Sequence, residues 1–236
     1  MAVAFDAVSS SSVASGTGTL TWTHTPVAAP PSSVGVGLVV YTNTGVDVAS
    51  VTYNGVALTK AISTLASING FRTEVWGSDG MILPSGAQSI VISFSGSSGG
   101  DIFCIAGAIT TTGSNTTTCF SGSAGATGDS SGAGPQPSVS CPSATGEFVM
   151  NVCSNIHNDA TLTPAQTIRW GLLAAGGLES GGSSTPASAG STGISWTQAT
   201  GIGTNEWALS AASFKVAGGA AASISLGILG LATAEW

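Results

Sequence analysis

Charge is what this sequence has least of. Asp, Glu, Lys and Arg make up 6% of its 236 residues, against roughly 25% in an ordinary soluble domain. The four cations, Lys60, Arg72, Arg169 and Lys215, are scattered, so no basic patch is available to neutralise a phosphate backbone, and a nucleic-acid partner is not expected. Histidine is limited to His24 and His157, which leaves few candidates for a general base. The acids are equally dispersed, with no calcium-type Asp-rich loop and no closely spaced carboxylate pair, so no metal and no cofactor is expected. The four cysteines contain no C-x-x-C, which argues against a zinc ribbon or a thioredoxin-like site. The opening MAVAFDAVSSSS has neither the basic start nor the apolar centre of a signal peptide, so export by that route is not expected. The uncharged run from Val216 to Ala234 is broken by glycines and serines, and its section Ser223 to Ile228 alternates small with apolar as a strand does; no membrane span is expected there.

Small and hydroxylated residues take the place of the charges. Gly numbers 34, about twice the usual share of roughly 7%, and Ser and Thr together exceed a quarter of the chain. The apolar content of 42% is too high for a disordered low-complexity chain, so the protein folds. No long window carries apolar residues at helical spacing, whereas short alternating runs bounded by Gly, Pro, Asn or Ser recur from Ala2–Val8 to Ala222–Thr233. The expected fold is all-β: an antiparallel β-sandwich or jelly roll with long Gly/Ser-rich loops. The clearest element is Val51-Thr52-Tyr53-Asn54-Gly55-Val56-Ala57-Leu58-Thr59, where Asn-Gly supplies the two positive-φ residues of a type I′ hairpin turn. Leu83-Pro84-Ser85-Gly86 is a second turn, feeding the alternating strand Ile90 to Phe94. Gly113 to Gln136 and Ala174 to Gly193 read as long surface loops. No repeat with a period of 20 to 50 residues is evident. Residues 1–236 therefore read as one sandwich domain, with an N-terminal arm over 1–12 and an apolar strand or extension over 217–236.

Each candidate for chemistry has a plainer reading. Gly96 to Gly100 and Gly128 to Gly132 both match G-x-S-x-G, but at these Gly and Ser frequencies roughly 0.7 matches arise by chance, and neither lies between a buried parallel strand and a helix. No catalytic residue is expected. Cys104 and Cys153 fall in apolar strands as small core residues. Cys119 and Cys141 bracket a Gly/Ser stretch, where a disulfide would contribute roughly 3 kcal/mol in the chain-entropy model; a reducing cytosol would leave all four thiols free. Trp22, Trp76, Trp170, Trp196 and Trp207 lie in predicted strands and read as core rather than as a sugar-stacking platform. Trp236 reads as an anchor for a neighbouring subunit. Asn115-Thr116-Thr117 has the form of a glycosylation sequon, read here as loop polarity.

A chain this short of charge presents Ser, Thr, Asn, Gly and Ala to water and repels its neighbours weakly, which favours dense arrays of identical subunits. VTYNGVALT (Val51 to Thr59), Glu74-Val75-Trp76, Leu83-Pro84-Ser85-Gly86 leading into Ile90 to Phe94, Ser195-Trp196-Thr197 and Trp207-Ala208-Leu209 together resemble a β-sandwich module of tailed phages and some bacteria, over roughly residues 3 to 216. In phages, related jelly-roll modules occur as capsid decoration (cement) proteins, minor virion proteins and parts of tail fibres. The resemblance implies a non-enzymatic virion protein, assembled in the host cytoplasm, whose partners are its own copies and the major capsid or other virion proteins. It carries over no catalytic residue. Met1, Ala2, Phe5 and Trp236 are the expected contact residues. The alternatives are a carbohydrate-binding or adhesin module that contacts surface glycans, and an extracellular filament subunit built by β-augmentation.

Overall fold

The structure, a computed structural model, describes residues 1–13, 18–41, 46–66, 70–96, 102–129, 136–156, 162–173, 178–198 and 206–218. Those residues are all-β. The first half of the chain forms β1 (Ala4–Val13), β2 (Thr19–His24), β3 (Ser33–Tyr41), β4 (Asp47–Tyr53), β5 (Val56–Ala57), β6 (Thr59–Ala66), β7 (Phe71–Gly77), β8 (Gln88–Ser95) and β9 (Cys104–Thr112). The second half forms β10 (Phe120–Asp129), β11 (Ser138–Ser143), β12 (Phe148–Ile156), β13 (Leu162–Pro164), β14 (Thr167–Leu173), β15 (Leu178–Pro186), β16 (Gly190–Gln198) and β17 (Glu206–Phe214). No helix among the described residues is long and apolar enough to cross a membrane.

The two halves repeat one topology. In the first, a sheet ordered β1-β9-β3-β7-β6 packs on a sheet ordered β2-β8-β4-β5; in the second, β10-β17-β12-β15-β14 packs on β11-β16-β13. Reading β10 as β1, β11 as β2, β12 as β3, β13 as β4, β14 as β6, β15 as β7, β16 as β8 and β17 as β9 superimposes the two orders, and only the two-residue β5 lacks a counterpart. The two larger sheets face each other. Across that seam β3 touches β12, its own counterpart, while β6 touches β10 and β1 touches β14. Such reciprocal pairing is what an approximate two-fold axis generates. Where the sequence reads as one continuous sandwich, the chain holds two in series that share a central core, in four layers.

Sequence explains why the middle layers bury both faces. Along β3, Val34, Val36, Leu38 and Val40 join the core beneath the outer sheet of the first half, together with Tyr53, Ile90 and Ile92. The intervening Gly35, Gly37 and Val39 face the second half, so the strand reads as a continuous small or apolar run rather than an alternation. From the other side come Phe148, Met150, Val152, Trp170, Ala212 and Phe214.

Two segments expected as loops each contain a long strand. Within 113–136, Phe120–Asp129 is β10, and within 174–193, Leu178–Pro186 is β15. Their Gly and Ser are needed because large rings lie against them. A β-carbon on Gly128 would press into the Trp207 ring; one on Gly181 would meet Trp196 and one on Gly182 Trp170. Adjacent strand residues face opposite ways, so the two tryptophans grip β15 from its two faces. The buried serines find partners: Ser180 Oγ donates to Cys153 O at 3.0 Å and Ser183 Oγ to Asn151 Oδ1 at 3.1 Å.

Candidate interaction surface at the linker end

Strand register gathers a set of loops at one end of the molecule. The pairs His24↔Gln88, Tyr53↔Ile90, Ser33↔Thr111, Ala4↔Thr112 and Thr59↔Gly77 place connections 25–32, 54–55 and 78–87 beside the linker 113–119. In the second half Phe148 pairs with both Phe214 and Pro186, which brings 144–147 and 187–189 to the equivalent end. Val3 N donates to Gly146 O at 2.7 Å and Asn115 N to Lys215 O at 2.8 Å, so the two ends adjoin. The repeat makes a comparison possible. The first half spans 25–32 where the second makes the same connection with 144–147, and 78–87 where the second needs only 187–189. Extra chain that the shared fold does not require belongs to what the loops do.

Three carboxylates fix this end. Asp6 accepts from Val27 N at 3.2 Å, Ala28 N at 2.7 Å and Thr110 Oγ1 at 2.8 Å, holding 25–32 against β1 and β9. Asp79 Oδ1 accepts from Cys119 N at 2.7 Å and Gly80 N donates to Thr117 O at 3.1 Å, tying 78–87 to the linker. Glu147 Oε2 accepts from Ala144 N at 2.9 Å, Ser121 Oγ at 2.6 Å and Ser213 Oγ at 2.8 Å. Between such fixed points, aliphatic side chains are turned outward. Ile82 is 89% exposed between buried Met81 and Leu83, Val27 is 81% exposed beside buried Pro26, and Val56 at the hairpin is half exposed. Clefts of about 250, 260 and 440 Å³ open at the same end, the first between β6 and β10 and the last lined by Ser32, Ser114, Asn115, Thr117 and Gly218.

Most described charges are spent inside the protein. Glu74 is fully buried, with Oε1 accepting from Lys60 Nζ at 2.9 Å and Ser63 Oγ at 3.1 Å, and Oε2 from Trp76 Nε1 at 2.8 Å. Arg72 pairs with Asp47 at 2.9 Å, and Arg169 lies 3.7 Å from the centre of the Phe5 ring. The outer faces show the complement. On β2, Thr19, Thr21 and Thr23 point to solvent; on the opposite outer sheet, so do Ser138, Ser140, Ser195 and Thr197.

The residues singled out from sequence are distributed as follows. Met1 and Ala2 are exposed, but the segment behind them is not a free arm: Ala4–Val13 is β1, an edge strand paired with β9, and Phe5 is half-buried under Arg169. Trp236, Ser98, Ser130 and His157 lie outside the described residues. Cys119 and Cys141 are free thiols, as are Cys104 and Cys153, and all four are buried. Cys119 packs in the core between the halves and Cys141 in that of the second sandwich, so the proposed disulfide is not formed. Trp76, Trp170, Trp196 and Trp207 are buried and Trp22 is half-buried, leaving no exposed pair of indoles among the described residues. Asn115 Oδ1 closes a turn by accepting from Thr117 N at 2.8 Å and Thr118 N at 3.0 Å. Among the described residues no three His, Cys, Asp or Glu side chains are grouped to hold a metal ion.

A Ser–His contact that sequence spacing did not indicate joins β1 to β2. Ser9 Oγ is 2.8 Å from His24 Nδ1, and His24 Nε2 is 3.2 Å from Thr110 Oγ1. Burial pushes the His24 imidazolium down to about 4, against a smaller upward pull from Asp6. The neutral ring then fits one directed chain: Trp22 Nε1–H to Ser9, Ser9 O–H to Nδ1, Nε2–H to Thr110, and Thr110 O–H to Asp6. A buried imidazole this weakly basic makes a poor general base near neutrality; the chain ties strands together. Comparison of this protein with family models, with curated proteins and with solved structures gives no match.

Proposed function

We propose that the chain is a non-enzymatic structural protein of a virus particle, a decoration or cement protein that lies against the capsid and its own copies and stabilises the shell. The disposition of charge carries this reading. Six carboxylates, at Asp6, Asp47, Asp79, Glu74, Glu147 and Glu179, accept hydrogen bonds from within the fold, while both outer sheets offer Ser and Thr to their surroundings. Contacts made by such faces rest on backbone, hydroxyl and aliphatic groups, which salt screens little. Loops held rigid before contact lose little entropy on docking, and many weak contacts on one shell add up through multivalency. The test is to purify, on a density gradient, the particles of the virus that encodes the chain. The expected result is the protein in fixed ratio to the capsid subunit, with stripped particles opening at lower temperature. Particles that lack it, or that are equally heat-resistant once it is removed, overturn the proposal.

A further inference from the structure

We propose that the cleft between β6 and β10 receives an arginine side chain of a partner protein, laid against Phe120 with its charge facing Asp79. The opposite seam supplies the template. Each half has a β-bulge just after a phenylalanine on one edge strand: at Asp6, between Phe5 and Ala7, and at Ser121, between Phe120 and Gly122. Each has another on the opposite edge strand: at Ala61, between Lys60 and Ile62, and at Arg169, between Ile168 and Trp170. Register carried through the sheets makes these positions counterparts. Phe5↔Thr111↔Ser33 matches Phe120↔Phe214↔Phe148, and three residues further along β3 and β12, Lys60↔Trp76↔Val36 matches Ile168↔Ser183↔Asn151. Phe120 therefore stands where Phe5 stands, and Ala61 where Arg169 stands. A bulge aims the side chain it carries. At the β1–β14 seam it lays Arg169 on the Phe5 ring, with Cζ 3.7 Å from the ring centre. At the β6–β10 seam Ala61 stops at its methyl group, and a cleft of about 250 Å³ opens against Phe120.

The charges in that cleft favour the same occupant. Asp79 Oδ1 accepts from Cys119 N at 2.7 Å, while Oδ2 makes no bond among the described residues. Lys60, on the rim, is held at 2.9 Å by the buried carboxylate of Glu74, which neutralises it. Ser121 Oγ donates to Glu147 Oε2 and Ser123 Oγ to Ala61 O, so each hydroxyl spends its proton within the fold and keeps an oxygen lone pair for a donor. A ring, two hydroxyl acceptors and a carboxylate without a counter-ion suit a planar cation with five N–H groups, which stacks and donates at once. The chain's own arginines are engaged, Arg72 with Asp47 and Arg169 with Phe5, so the guanidinium comes from another protein rather than a second copy. The inference does not depend on the particle role.

Binding of N-acetylargininamide to the full chain, followed by NMR, tests it. The expected result is a saturable shift of the Ala61, Phe120 and Ser123 amide signals. The uncharged analogue N-acetylcitrullinamide should bind at least about tenfold more weakly. Ala61→Arg, which fills the cleft from within as Arg169 fills its counterpart, should abolish the shifts. Asp79→Asn keeps Oδ1 for Cys119 N and removes the charge; it should weaken binding at least about fivefold, and it keeps the test open if Ala61→Arg does not fold. Absence of a saturable shift up to about 100 mM ligand overturns the proposal. So does equal binding of the two ligands, or binding undiminished in either folded variant.

Discussion

The indole of Trp170, on β14 of the second half, occupies the space that a β-carbon on Gly107, in β9 of the first half, would need. Gly37 and Gly182 line the same ring from the two facing sheets. Overpacking a filled core costs about 1–3 kcal/mol, so Gly107→Ala should lower stability by that amount in urea unfolding. Gly193→Ala is the control: its β-carbon would enter open space, and the change should stay within about 0.5 kcal/mol.

His24 gives the fold a dependence on acid. Its folded value, about 4, lies below the ordinary 6.5, so the unfolded chain binds the extra proton between those values and stability falls as pH drops from about 6.5 to about 4. The loss is at most about 3 kcal/mol. Glu179 is shifted upward by burial and acts in the opposite sense, losing its contribution as pH rises. Comparing the native chain with His24→Gln across this range isolates the histidine, and the variant should show the flatter curve.

Pinning by carboxylates should be measurable loop by loop. Asp79→Ala strands the Cys119 N–H that it accepts at 2.7 Å; an unpartnered buried donor costs about 1–3 kcal/mol. Amide exchange should rise at Cys119 and across 78–87, and remain unchanged across 25–32. Asp6→Ala should produce the reverse pattern.

The thiols should be inert. Burial pushes Cys119 up to about 12 and Cys141 up to about 11, and raises Cys104 and Cys153 as well, which leaves negligible thiolate at neutral pH. Alkylation of the folded protein at pH 8 should modify none of the four within the time that unfolded protein reacts at all of them. Mass spectrometry after mild oxidation should find no bridge between Cys119 and Cys141.

What the sequence made legible follows from its local chemistry. The Tyr53-Asn54-Gly55-Val56 turn is a hairpin, with Asn54 and Gly55 at φ 50° and 77°, because a type I′ turn is specified by its own two residues. The all-β class was equally readable from alternation. β10 and β15 were hidden because their identity is set by distant rings; Gly128 and Gly182 read as loop until Trp207 and Trp170 are placed against them. The repeated topology was hidden for a related reason: β3 and β12 occupy equivalent places with SVGVGLVVY and FVMNVCSNI, and a fold fixes burial at such positions rather than identity. The loop tip was half visible. Leu83-Pro84-Ser85-Gly86 marked a turn, but nothing local says that Ile82 rather than Met81 or Leu83 faces water. The partners of Asp6 and Asp79 are far along the chain and left no pattern at all.

Two sandwiches joined by the linker 113–119 are under a different evolutionary constraint from two separate identical subunits. In a symmetric homodimer every mutation appears twice, so an insertion that suits one tip is imposed on the other. Here 25–32 and 78–87 are long in one half while 144–147 and 187–189 are short in the other. Within one chain the two copies of the topology are free to differ, one with short connections and the other with long ones.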